Sequence, residues 1–293
     1  MNGRKLRLGT RGSDLATTQS GQVARAVEAA TGVGVELVII KTRGDQVTDR
    51  PLQEVGGKGL FTKEIEEALL QGEIDFAVHS MKDMPTESPE GLLIASVPKR
   101  VDPRDVLVGS ELDRLPQGAV VGTGSVRRAL QLRAARPDRE LKGIPGNVDT
   151  RINKQRAGEY AAIVLAMAGL VRLGREVDVT EALAPAVMIP AVGQGALAVQ
   201  ARRRDDDTLR ILEAVHDADT GVCVAAERAF LAEIQGGCSA PAAAHAHLQG
   251  EEIVIDGVWA ADEASPVRRA QLRGDRLHVH ALGTELARRV RDG

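Results

Sequence analysis

One short pattern occurs twice in this chain and constrains its fold more than any other feature. The apolar run Leu6 to Leu8 turns through Gly9-Thr10-Arg11-Gly12-Ser13-Asp14 into a helical pattern carried by Leu15, Val23, Ala26, Val27 and Ala30. Val120-Val121 turns in the same way through Gly122-Thr123-Gly124-Ser125 into a helix start at Val126-Arg127-Arg128. Strands that alternate with helices predict α/β layers with largely parallel sheets. Strands are expected at Leu6 to Leu8, Glu36 to Ile40, Phe76 to His79, Leu92 to Ala95, Val120 to Gly122 and Ala162 to Ala166. A helix is expected over Thr62 to Gln71, where Ile65, Ala68 and Leu69 form an apolar stripe and Gly72 supplies the stop.

Each strand-to-helix turn is suited to an anion. Backbone N–H groups at a helix start, joined by Arg11 and Ser13 in the first copy, would hold a carboxylate or phosphate. The second copy offers Thr123, Ser125, Arg127 and Arg128. Ser and Thr at such places also serve as plain helix caps, and the sequence leaves both readings open. Gly143-Ile144-Pro145-Gly146-Asn147-Val148-Asp149-Thr150-Arg151 repeats the logic ahead of a polar helix. Arginine suits carboxylates because its planar fork binds them bidentately, although a solvated helix face also collects arginines.

His79-Ser80-Met81-Lys82-Asp83-Met84 sets a carboxylate beside an ammonium where the alternating segment Ile74, Phe76, Val78 ends. Open α/β sheets bind ligands beyond the carboxyl ends of their strands, so Asp83 has an active-site address. Lys82 and Asp83 also fit a simple turn ahead of Pro85.

Composition narrows the classes. Aromatic residues make up only 2% of the chain, too few to build stacking platforms for single-stranded nucleic acid. The net charge of −3 means that any anion site must be a local concentration of arginines and backbone N–H groups. No apolar run has the length of a membrane span and the first residues do not read as a cleavable signal, so the cytoplasm is expected. Cys223 and Cys238 are too few for a disulfide framework. His245 and His247 lack a further ligand set with recognised spacing, so no metal is expected. Gly57-Lys58-Gly59 lacks the Ser or Thr of a P-loop, and Gly122-Thr123-Gly124-Ser125-Val126-Arg127 has arginine where a dinucleotide fold needs its third glycine.

Val97 to Pro103 reads as a crossover between lobes and Pro190 to Gly195 as the return. Lobe 1 is then discontinuous, residues 1–96 and 195–214, lobe 2 is 101–190, and a small α/β domain occupies 217–293. The run Arg204-Asp205-Asp206-Asp207 reads as a solvated loop. Cys238 lies in the loop Gly236-Gly237-Cys238-Ser239-Ala240-Pro241 after a helix over Val222 to Ile234, whereas Cys223 sits inside that helix and reads as an inert core residue.

Seven motifs resemble, in order, those of the porphobilinogen deaminase (hydroxymethylbilane synthase) family. They are Leu8 to Ser13, Gly56 to Phe61, Ala77 to Asp83, Gly122 to Arg128, Gly146 to Arg151, Pro190 to Gly195 and Gly236 to Cys238. The resemblance implies three domains, two of them periplasmic-binding-protein-like lobes around a cleft. It implies a transferase of tetrapyrrole (heme) biosynthesis that condenses four porphobilinogen molecules head to tail, releasing ammonia, on a dipyrromethane primer, and then hydrolyses off hydroxymethylbilane. It further implies a thioether from Cys238 to that cofactor, and catalysis by a buried carboxylate, Asp83, tuned by Lys82. Cofactor contacts carried over by motif are Ser80, Lys82, Asp83, Thr123, Ser125, Arg127, Arg128 and Gly146. Substrate contacts are Arg11, Ser13, Arg151 and, from Ala168 to Gly174, Arg172. Lys58 and Phe61 fall at the end of a glycine-rich cover, and Gln194 in the return loop. Nothing demands a partner subunit, so a monomer is expected. The rival reading is a non-catalytic two-lobed anion-binding protein, which would gain nothing from Asp83 or from a covalent group on Cys238.

Overall fold

Residues 5–42, 62–235, 241–262 and 265–293 are described by the computed structural model of this chain. The first stretch forms β1 (Leu6–Thr10), α1 (Asp14–Thr31), β2 (Val35–Ile39), α2 (Lys63–Leu70), β3 (Phe76–Ser80) and β4 (Leu92–Ser96). It is followed by β5 (Asp105–Val108), β6 (Val120–Gly122), α3 (Val126–Ala135), β7 (Glu140–Lys142), α4 (Val148–Arg156), β8 (Ala162–Ala166), α5 (Met167–Arg172) and β9 (Glu181–Ala182). Then come β10 (Leu197–Arg202), α6 (Asp206–Glu213) and α7 (Ala218–Glu233). The chain ends with β11 (Ala242–Gln249), β12 (Glu252–Trp259), β13 (Arg268–Asp275) and α8 (Val279–Asp292).

These elements group into two compact units, Met1–Arg100 with Ala196–Gly221, and Val101–Gly195 with Val222–Gly293. In the first, five strands lie in the order β2-β1-β3-β10-β4. Both faces of the central strands of this sheet are covered. Leu8, Val23, Val27, Phe76, Val78 and Val199 pack on the α1 face, and Ile65, Leu69, Ile74, Ala77 and Leu92 on the α2 face. Ser13 caps the start of α1, and Gly32 ends it in the left-handed region at φ 71°.

The second unit contains a five-stranded sheet in the order β7-β6-β8-β5-β9 and a separate antiparallel sheet, β11-β12-β13. The antiparallel sheet buries Ala244, Ile253 and Ile255 against Phe230 of α7 and Leu286 and Val290 of α8. Gly283 of α8 is needed there, because a side chain would collide with the Ala226 carbonyl. Glu227 of α7, fully buried, accepts the N–H groups of Gly193 (2.7 Å) and Ala246 (2.9 Å), tying β11 to the segment before β10.

The two five-stranded sheets share one plan. A parallel trio, β2-β1-β3 or β7-β6-β8, continues into an antiparallel strand, β10 or β5, and then an edge strand. The expectation of largely parallel sheets is thus corrected to mixed ones. Neither β5 nor β10 is joined to its neighbours by a strand–helix–strand crossover, the connection that makes sequential strands parallel. Two smaller expectations also change. The aspartate run starts α6, with Asp205 accepting the Thr208 N–H and Asp206 and Asp207 in the first turn, where the helix dipole favours acids. The helix holding Cys223 begins at Ala218, and Cys223 is buried in it.

Candidate functional site

In the first unit the relevant groups collect at the carboxyl ends of the parallel strands β1 and β3. β3 ends in Ser80 and passes into a single 3-10 turn, Met81–Asp83. Met81 is buried and anchors the turn, with its N–H donating to the Ala196 carbonyl. Lys82 is half-buried, whereas Asp83 is exposed. The carboxylate expected to be buried therefore stands on the rim of its unit, because a three-residue turn capped by an apolar anchor directs its last residue outward. Ser80 and Gln19 of α1 bond through their side chains, with the Gln19 amide donating at 3.1 Å and the Ser80 hydroxyl donating back at 3.3 Å. Gln19 is buried, and nothing in its local pattern marks it as more than a polar residue of an amphipathic helix.

Ser13 accepts the Ala16 N–H at 3.4 Å, so its oxygen acts as the α1 cap while its O–H is left to donate elsewhere. Arg11 is partly buried at the head of the same turn. Behind the site, His79 is buried and its pKa is pushed down to about 4, chiefly by desolvation; the Gln200 amide opposes this and the Arg11 charge adds to it. His79 is accordingly a neutral imidazole at neutral pH.

In the second unit the anion-binding expectations divide. Arg127 and Arg128 are both buried, and both are held by Asp105, the first residue of β5. Arg127 donates to Asp105 at 2.6 and 3.2 Å and to the Ile189 carbonyl at 2.8 Å. Arg128 donates to Asp105 at 2.9 Å and to the Val164 carbonyl at 2.9 Å. Gln194 adds bonds to Asp105 (3.0 Å) and to the Pro103 carbonyl (2.7 Å). Burial alone would raise the Asp105 pKa, but the two guanidiniums override it and hold the carboxyl well below the usual carboxylate range. The sequence reading missed Asp105, although an acid opening the apolar run Val106-Leu107-Val108 was a signal, since buried charges are rarely unpaired.

Arg151 and Arg172 are different. Arg172 is buried, donates to the Gly195 carbonyl at 2.8 Å, and its Nε is buried without a hydrogen-bond partner. Arg151, partly buried, likewise has an unsatisfied Nε. Neither forms an ion pair with a carboxylate among the described residues. Desolvation lowers the pKa of both, to about 10 for Arg172, and the neighbouring Arg128 charge lowers Arg151 further. A buried donor without an acceptor calls for an explanation, and an anionic ligand would supply one.

The remaining groups frame these arginines. Thr123 is buried and accepts the Ser125 N–H at 3.2 Å, while Ser125 caps α3 through the Arg128 N–H at 3.5 Å. Gly146 has φ +107°, and a Cβ there would fall 2.6 Å from Thr150 Cγ2, so the turn into α4 requires glycine. Asn147 then caps α4 by accepting the Thr150 N–H at 2.9 Å. Lys58, Phe61 and Cys238 lie outside the described residues.

Comparison with known proteins finds matches along nearly the whole chain. Residues 6–210 match the family model described as "Porphobilinogen deaminase, dipyromethane cofactor binding domain", and residues 221–292 match "Porphobilinogen deaminase, C-terminal domain". A porphobilinogen deaminase from Syntrophobacter fumaroxidans is 46% identical over 100% of this chain and 96% of its own length. One from Roseiflexus sp. is 49% identical over 97% of this chain and 95% of its own, and one from Trichlorobacter lovleyi 48% identical over 98% and 93%. The crystal structure of the methionine-binding protein MetQ aligns with 74% of this chain and 92% of its own, at 13% identity and a TM-score of 0.44.

Proposed function

The chain belongs to the porphobilinogen deaminase family, and we propose which of its residues carry out that family's reaction. The protein is a transferase of tetrapyrrole biosynthesis. It condenses porphobilinogen molecules head to tail with release of ammonia and frees hydroxymethylbilane by hydrolysis. Its cofactor is dipyrromethane, which supplies the pyrrole α-carbon from which the chain grows. Family membership disfavours the non-catalytic anion-binding alternative.

The observation that best supports the site assignment is the pair of buried Nε–H groups, on Arg151 and Arg172, that have no hydrogen-bond partner among the described residues. Each pyrrole of the substrate and cofactor carries an acetate and a propionate, so the protein must neutralise many carboxylates. Those two Nε–H donors fit that need, and we assign them to the substrate together with Arg11 and the Ser13 hydroxyl. Thr123, Ser125, Arg127, Arg128 and Gly146 we assign to the cofactor, along with Ser80, Lys82 and Asp83, and attachment to Cys238. Glycine at 146 allows the positive-φ turn into α4, where a Cβ would collide with Thr150.

Asp83 is the catalytic residue in this reading, with Lys82 orienting it. Loss of ammonia breaks the substrate's C–N bond, the electron pair leaves with nitrogen, and positive charge develops over the methylene-pyrrole. A fixed carboxylate beside that charge lowers the barrier electrostatically and accepts protons released later. The exposed position of Asp83 in its unit suits a group that must meet an incoming ligand. Lys58, Phe61 and Gln194 are assigned supporting contacts. We further propose a cytoplasmic monomer that binds no nucleic acid; no helix among the described residues is long and apolar enough to cross a membrane.

Intact-mass measurement tests the assignment. Purified protein, incubated with porphobilinogen, is expected to carry one adduct of dipyrromethane mass, and Cys238→Ser to carry none. An adduct retained by Cys238→Ser would overturn the attachment site.

A further inference from the structure

Asp105 is fully buried at the start of β5, and three side chains converge on it from elements far apart in sequence. Arg127 and Arg128 come from α3, and Gln194 from the segment before β10. Each guanidinium is also fixed by a second acceptor, the carbonyl of Ile189 or of Val164. Both arginines are therefore held by the carboxylate and again by a backbone carbonyl, and their rotamers are set before any ligand arrives.

The charges do not balance. One carboxylate faces two guanidiniums, and Arg151 lies close enough to Arg128 to feel its positive charge. A carboxylate serving stability alone needs one partner, and well-packed apolar groups would serve as well. Here it orients two cations and leaves their excess charge in place. Gln194 extends the arrangement, because the next residue, Gly195, offers its carbonyl to Arg172. The same carboxylate thus organises Arg127 and Arg128 and steadies the backbone to which Arg172 is tied.

We propose that Asp105 is a positioning residue of the dipyrromethane site, aiming Arg127 and Arg128 at the cofactor's carboxylates while leaving their surplus charge available. The proposal rests on the assignment of those arginines to the cofactor. An arginine already ordered by folding surrenders less conformational freedom on binding, so its contribution to affinity is larger. With asparagine in place of Asp105, an amide N–H would face an arginine N–H, and the pair would lose its aim.

The experiment uses the full chain and reads cofactor loading by intact mass against porphobilinogen concentration, with thermal melting alongside. Cys238→Ser supplies the melting temperature of folded protein that cannot be loaded. Asp105→Asn is expected to melt below Cys238→Ser, because two buried guanidiniums lose their carboxylate, yet to stay folded and to need about tenfold more porphobilinogen for half-maximal loading, as for a lost charged hydrogen bond. Asp105→Glu should recover part of that loss. A folded Asp105→Asn that loads like the wild type overturns the proposal. If Asp105→Asn does not fold, Gln194→Leu decides: it removes the amide that donates to Asp105 and to the Pro103 carbonyl, and is expected to raise the loading concentration about threefold. Wild-type loading in Gln194→Leu then overturns the proposal. Arg128→Met separates the two levels: normal loading there sinks the cofactor assignment itself, whereas impaired loading there beside normal loading in Asp105→Asn sinks only the role of Asp105.

Discussion

Gln19 and Ser80 lie 61 positions apart and exchange side-chain hydrogen bonds, at 3.1 Å from the amide and 3.3 Å from the hydroxyl. The bond joins the first turns of α1 to the last residue of β3, two positions before Lys82. It fixes the rotamer of a hydroxyl beside the proposed catalytic turn. Gln19→Leu should lower stability by about 1 kcal/mol, as for one neutral hydrogen bond. It should also reduce turnover several-fold, because Ser80 loses its orientation. Melting temperature and kcat, measured on the same preparation, check both halves.

Asp83 is exposed and ends a short turn whose anchor is Met81. Asp83→Asn is therefore expected to leave the melting temperature unchanged. Turnover should fall by roughly 10²–10⁴-fold, the range for removing a positioned acid–base group. Near-normal kcat in a folded Asp83→Asn would remove Asp83 from the mechanism.

Arg172 is a buried cation without a carboxylate partner among the described residues, and its pKa is lowered to about 10 by desolvation. Such a charge costs free energy when no anion is bound. In protein that carries no ligand, Arg172→Met should thus leave the melting temperature unchanged or raise it, while the KM for porphobilinogen increases at least about tenfold. A marked loss of stability would mean that its bond to the Gly195 carbonyl matters more than its charge.

His79 supplies a pH prediction. Its folded pKa of about 4 lies below the ordinary 6.5, because burial disfavours the imidazolium. As pH falls below about 6.5 the unfolded chain takes up a proton that the folded one refuses, so stability declines down to about pH 4 and is then independent of this group. The total is on the order of 3 kcal/mol, from a fall of about 2.5 in pKa at 1.36 kcal/mol per unit. Urea unfolding between pH 7 and 4 should show that slope, and His79→Asn should flatten it.

Gly146 sits at φ +107° with Thr150 packed where a Cβ would go. Gly146→Ala should cost roughly 1–3 kcal/mol, the usual strain for such backbone, and should weaken cofactor loading as the α4 cap shifts. Unfolding free energy and intact mass report the two effects.

Features that depend on near neighbours were legible in the sequence. β6 and β8 have the expected bounds, α2 differs only by its caps, and the glycine turns into α1 and α3 lie where the punctuation put them. Pairing direction was not legible, because Leu197–Arg202 is as apolar as any parallel strand and only its partners make it antiparallel. The same holds for Arg127 and Arg128. Their motif reads as two available cations, and the carboxylate that engages them lies 22 and 23 positions earlier. Arg151 and Arg172 were read as anion ligands for the same reason, and nothing among the described residues has claimed their Nε donors. Local chemistry identifies an arginine, but the fold decides whether it is already engaged.

β10 completes the first sheet, yet the whole segment from β5 to β9 is made before it. Until Leu197–Arg202 docks, β3 and β4 each keep an open edge, so a nascent or truncated chain ending ahead of Leu197 presents two apolar strand margins to any other copy. Early termination of synthesis in this protein should consequently give insoluble fragments instead of a trimmed but serviceable first unit.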